Sequence, residues 1–225
     1  MIAAVEQLHA RGRRALLAGE EDYDRPPRAG SRRWGVSVIL RPDDDAARRL
    51  ATVTGEVSAL AGPGHWPTGR LGSGHLTVRG LEHRRDPVPS QDPLLGRYCA
   101  AVARAAERTA PLHFALTGLL LVPGAVLALA EPLGPAPDRL RAGLAAELGA
   151  DGQFEDDGYR QGLWWSTLLH LAGPLGDAAS LVDWVETRRS LDVGELRARS
   201  IDLVRYAYDG TCTSPVTLAS TPLAA

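Results

Sequence analysis

The chain has 225 residues, of which 44% are hydrophobic and 23% charged, and a formal net charge of −2. Such a chain can bury a core and is not disordered, and it lacks the basic excess of a protein built to grip long nucleic acid. All 25 basic residues are Arg and there is no Asn, which excludes a P-loop Lys, a Schiff-base Lys, a Ser-x-x-Lys nucleophile and N-glycosylation.

Met1 to Glu20 carries Glu6, His9 and three Arg among its apolar residues, so it lacks the apolar h-region of a signal peptide. Residues 2–19 read as a short amphipathic helix and 20–33 as a polar linker. Together they precede a single domain over 34–225. Trp34 to Leu40 (WGVSVIL) reads as a strand. Asp43 or Asp44 caps a helix running to about Ala61, with Leu50, Val53 and Val57 on one face. A long loop, AGPGHWPTGRLGSG, leads to a short strand over His75 to Val78. Asp92-Pro93 opens a second helix through a cap and a first-turn proline.

A hairpin over 112–130 turns at Pro123-Gly124. That turn splits the longest uncharged stretch, Phe114 to Ala130, which is too short for the roughly 20 apolar residues of a membrane span. Asp138 caps a third helix that ends at Gly149. After the loop ADGQFEDDGYRQG comes a strand over Leu163 to Leu171, then a helix capped by Asp177. Strands over Ser200 to Tyr208 and Pro215 to Leu218 end the chain. The layout is α+β. Two Cys, Cys99 and Cys212, exclude a disulfide framework or a Cys-rich zinc site and point to a reducing, cytoplasmic setting.

Two segments carry chemistry. In GSGHLTVRG, strand alternation puts His75, Thr77 and Arg79 on one face, about 6.6 Å apart in succession, with Leu76 and Val78 opposite. An imidazole, a hydroxyl and a guanidinium together suit a phosphate. In LWWSTLLHLAG, His170 sits near the end of an apolar strand. Each half of the chain thus has a strand ending in His-Leu-x, followed by a helix. Of Trp164-Trp165, one faces the core and the other can stack on a base.

With these pieces in order, the sequence resembles the 2H phosphoesterase superfamily, which includes RNA 2′,3′-cyclic phosphodiesterases and 2′-5′ RNA ligase-like proteins. His75-Leu76-Thr77 matches the first His-x-Thr/Ser motif. His170-Leu171-Ala172 matches the second at its His. WGVSVILRP, LTGLLLVPGAVLAL and SIDLVRY also look like the family. The resemblance implies two pseudo-symmetric lobes, with antiparallel sheets lining a central cleft and helices outside. It implies His75 and His170 as acid and base, Thr77 on the phosphate, no metal and no cofactor. The implied substrate is a small cyclic phosphate or nucleotide. Arg79 is added from its strand position, not from the motif.

Ala172 departs from the pattern and removes one hydroxyl. Ser166 shares its strand parity but lies six residues away, roughly 20 Å along a strand, and cannot replace it. The departure leaves open a weaker phosphodiesterase or a repurposed cleft that binds a nucleotide or other metabolite. Arg84, Arg85 and Arg205 are available for an additional basic cluster. Glu155-Asp156-Asp157 reads as a solvated loop, and His65, His83 and His113 as structural or outside any zinc spacing.

Overall fold

The computed structural model describes residues 2–154 and 162–224; Glu155-Asp156-Asp157 lie outside them. The helices are α1 (Ile2–Ala18), α2 (Asp44–Ala61), α3 (Pro93–Ala106), α4 (Ala136–Leu148) and α5 (Ala178–Glu186). The strands are β1 (Ser37–Leu40), β2 (Leu76–Gly80), β3 (Leu112–Val122), β4 (Ala125–Pro132), β5 (Trp165–His170), β6 (Asp192–Ala198), β7 (Ser200–Tyr208) and β8 (Thr213–Pro222). The fold is α+β. All eight strands pair antiparallel in one curled sheet, ordered β6-β3-β4-β5-β2-β1-β7-β8.

The two lobes are the two halves of that sheet. They meet at the single registered pair Leu76–Ser166 between β2 and β5. The outer face carries the main core, with Leu40, Leu76, Leu116, Leu168 and Leu203 under the helices. Leu50 and Val57 supply the buried stripe of α2, and Asp43 caps that helix by accepting from the Ala46 N–H. Truncating a fully buried Leu such as Leu168 to Ala costs about 2–5 kcal/mol.

The inner face is built differently. Ile39, Val204 and Tyr206 form one apolar patch there, and Leu120, Ala125 and Leu127 form another, flanked by Val5 and Leu8 of α1. α1 reaches this position along β3. Beyond Thr117, β6 no longer pairs with β3; the Gly118 and Leu119 N–H groups donate to the Leu191 and Arg188 carbonyls, and the next donor on that edge falls to α1. His9 Nδ1 accepts from the Leu121 N–H at 3.2 Å, and Nε2 lies 3.0 Å from Glu186. Gly12 permits the approach, since a Cβ there would sit 2.5 Å from the Leu121 carbonyl carbon.

The segment after α1 is fastened too. The Asp22 N–H donates to the Pro123 carbonyl at 3.1 Å, and the Asp24 N–H to the Leu171 carbonyl at 2.7 Å. A Cβ on Gly124 would meet the Asp22 carbonyl at 2.3 Å, so the hairpin turn needs glycine for this strap to lie down.

Three expectations change. β6 is a strand that alternation did not reveal, because Gly194, at φ +92°, interrupts the pattern between Val193 and Leu196. α4 begins two residues before Asp138, whose carboxylate accepts from Trp164 Nε1 at 2.9 Å. The first strand begins at Ser37, because Trp34 adopts φ +66°.

Candidate active site

His75 and His170 both look onto the inner face, and each is anchored through Nδ1. His75 Nδ1 lies 2.7 Å from the Ser73 carbonyl, which makes it the protonated nitrogen. Its Nε2 is 3.2 Å from the Tyr206 hydroxyl. His170 Nδ1 lies 2.5 Å from Asp24 Oδ2, and Arg33 holds the other carboxylate oxygen at 2.7 Å. Arg33 Nη2 also approaches His170 Nδ1 to 3.4 Å. Once Nδ1 directs its proton to Asp24, that approach sets donor against donor. It acts as a nearby positive charge rather than a hydrogen bond. Burial lowers the His170 pKa, Asp24 pulls it up, and Arg33 lowers it further.

Strand bulges decide what stands beside each imidazole. In β2, Ile39 pairs with Thr77 but Val38 pairs with Arg79, so Val78 is an extra residue. Thr77 stays on the inner face with His75. Arg79 turns to the helix side, where its guanidinium is buried against the Gly152 carbonyl at 2.7 Å. The expected sharing of one face by His75, Thr77 and Arg79 therefore holds for two of the three, because the bulge resets the alternation.

In β5, Leu127 pairs with Thr167 and Val126 with Leu169, so Leu168 is extra. Thr167 and His170 then share the inner face despite an odd spacing. Ser166 faces the core. Parity alone pointed to Ser166 and hid Thr167.

Ala172 lies just beyond β5, and its N–H donates to His65 Nδ1 at 3.3 Å. Burial depresses the His65 pKa.

Aromatic rings fill the centre. Trp34 contacts His170 edge-on at 5.0 Å between centroids and Tyr206 at 5.2 Å. Tyr206 in turn meets His75 at 5.8 Å, and Trp66 meets Trp34 at 5.9 Å. An indole thus stands between His170 and the Tyr206–His75 pair. Arg84 fixes the left-handed backbone there by donating to the carbonyls of Trp34 and Tyr206. Trp34 Nε1 is buried without a partner among the described residues. Of the tryptophan pair, Trp164 packs on Phe114 in the core and Trp165 lies on the inner face.

Beside His170 opens a cleft of about 810 Å³, lined by Thr167, Trp165 and Leu127 from the sheet and by Arg11, Arg14 and Arg33 from the N-terminal segment. Glu20 and Asp22 line it as well. The cations expected elsewhere have other work. Arg84 pairs with Asp86, and Arg85 with Glu82 and Asp92.

The curled antiparallel sheet with helices on its outer face is the fold of solved phosphoesterase structures. TT0787 of Thermus thermophilus superposes with a TM-score of 0.62 at 20% identity, over 84% of this chain and 97% of that one. Escherichia coli LigT in its apo form gives 0.58 at 9% identity, over 84% and 97%. A protein described as a phosphoesterase gives 0.57 at 12% identity, over 85% and 99%. No protein-family model and no curated protein sequence matches the chain. No helix among the described residues is long and apolar enough to cross a membrane.

Proposed function

We propose that the protein is a metal-independent phosphoesterase that opens a small cyclic phosphate, of the 2′,3′-cyclic nucleotide class, with His75 and His170 as the proton-transfer pair. The observation that carries this reading is the shared anchoring of the two rings. Each imidazole holds Nδ1 on a fixed acceptor, so Nε2 is the nitrogen turned toward the chemistry, in His75 with the Tyr206 hydroxyl beside it. Water attacks phosphorus and gives its proton to one Nε2. The bond from phosphorus to one sugar oxygen breaks, and that oxygen takes a proton from the other imidazole. Thr77 and Thr167 supply hydroxyl donors to the phosphate oxygens. Arg11, Arg14 and Arg33 favour an anionic ligand in the cleft. Structures of E. coli LigT hold 3′-AMP and phosphate, ligands of this chemical kind.

The test is turnover of a panel of 2′,3′-cyclic nucleotides with and without EDTA. EDTA-insensitive release of a nucleoside monophosphate is expected. Activity lost on chelation and restored by zinc or magnesium contradicts the reading.

A second reading, ligand binding without turnover, is favoured by the Trp34 indole between the imidazoles and by Ala172 in place of a hydroxyl residue. Trp34→Ala distinguishes the two. A rise in kcat/KM marks an obstructed phosphoesterase. Calorimetric binding of 3′-AMP by both proteins, with no turnover by either, marks a binding protein.

A further inference from the structure

We propose that Asp24, delivered by the strap between α1 and β1, is a positioning residue that fixes the tautomer and orientation of His170 and makes its Nε2 the proton acceptor of the pair. The inference rests on the phosphoesterase reading for its catalytic meaning. Its physical basis stands apart from it.

Asp24 lies in the segment first read as a polar linker, yet it is 4% exposed. A carboxylate is rarely buried so deeply unless its charge is paired. Both partners are present, with Arg33 at 2.7 Å on Oδ1 and His170 Nδ1 at 2.5 Å on Oδ2. The Nδ1–Oδ2 contact is a close ion pair, and Oδ2 accepts no hydrogen bond from any other group among the described residues. The carboxylate is therefore committed to the imidazole. Its backbone is held as firmly, since the Asp24 N–H donates to Leu171, the residue after His170. Asp24 and His170 thus move as one unit, although 146 positions separate them in sequence.

An ionised acceptor at Nδ1 demands a proton on that nitrogen, which leaves the lone pair on Nε2. The imidazolium formed when Nε2 takes a proton is stabilised by the same carboxylate. Arg33 pairs with the other oxygen of the buried Asp24 carboxylate. Burial and the Arg33 charge hold the resting ring neutral, as a base requires. His75 lacks this arrangement, because a backbone carbonyl holds its Nδ1. The charged groups in direct contact with His170 are Asp24 and Arg33 from the strap, and Arg11 and Arg14 of α1, with Glu20 and Asp22, line the same cleft. β4 presents only Ala125 at the paired position, and the loop before β2 presents Trp66.

The test uses the full-length chain with Asp24→Asn, Asp24→Glu and Arg33→Gln. Histidine side-chain nitrogen NMR reads the His170 tautomer and its titration directly, without requiring turnover. Asp24→Asn is expected to shift His170 from the Nδ1–H form toward the Nε2–H form. It is also expected to lower kcat/KM by about 10²- to 10⁴-fold at unchanged melting temperature, with partial recovery in Asp24→Glu. Arg33→Gln removes a nearby positive charge, so the His170 titration and the acid limb of the pH–rate profile move to higher pH. A His170 tautomer and titration unchanged in Asp24→Asn overturn the proposal, whatever the activity. If the tautomer shifts as expected but no cyclic phosphate is turned over, the positioning role stands and the phosphoesterase reading fails.

Discussion

The two half-sites solve one problem by different means. Around His75 everything is local. The ring is anchored by Ser73 two residues away, and its hydroxyl partner Thr77 follows two residues later. Around His170 almost everything is remote. The anchor comes from Asp24, Thr167 is brought round by a bulge, and the Ala172 N–H is held by His65. A half-site built from adjacent residues carries its geometry in its own strand. A half-site built from distant segments depends on the whole N-terminal strap being docked. The strap in turn depends on Gly12 and Gly124, where any side chain would collide with backbone.

The strongest way to break this comparison is to remove each imidazole in turn. His75→Ala and His170→Ala are each expected to lower kcat/KM on a 2′,3′-cyclic nucleotide by about 10²- to 10⁴-fold. Acid and base act together, so the double variant should be no slower than the worse single one. Near-native rates from either single variant would show that the halves do not form one site.

The same local–remote division explains what could be read from the sequence. His75 and Thr77 were legible because strand alternation is a short-range rule, and it held until the bulge at Val78. Arg79 lay one residue past that bulge, so the rule sent it to the wrong face. The helices and the β3–β4 hairpin were legible from caps, period and the Pro-Gly turn. β6 was hidden by Gly194. Asp24 and Arg33 were invisible for a different reason. They belong to a polar segment whose composition reads as linker, and nothing local marks a carboxylate that is buried only by its distant partners. Thr167 was hidden by its odd spacing from His170.

Thr167 sharpens the comparison at intermediate magnitude. If the bulge makes it the counterpart of Thr77, then Thr77→Val and Thr167→Val should cost similar amounts. A hydrogen bond to a charged group is worth about 1.5–3 kcal/mol, or roughly 10- to 150-fold in kcat/KM. Because Thr167 already provides a hydroxyl near His170, Ala172→Thr should add less than the low end of that range. Steady-state kinetics on all three variants decides the matter. A large gain from Ala172→Thr with no loss from Thr167→Val would return the missing-hydroxyl role to position 172.

The smallest expected effect is on stability, and it too separates the halves. His65 and His170 both belong to the second half-site, and burial lowers both pKa values below the ordinary 6.5. The folded chain therefore binds fewer protons than the unfolded chain once pH falls below about 6.5. The stability these neutral rings contribute is complete above that value and is lost progressively as pH drops toward their folded pKa values. Asp209, held down to about 2 by hydrogen bonds from Thr211 and Cys212, stays ionised throughout this range. Urea midpoints measured from pH 7.5 to 5.0 should fall with acidity, and His65→Gln should flatten part of that fall. Gln keeps an acceptor for the Ala172 N–H but cannot take up a proton, so the lost slope reports titration rather than packing. An unchanged slope in His65→Gln, with the midpoint at pH 7.5 preserved, would assign the acid sensitivity to the Asp24–His170 pair alone.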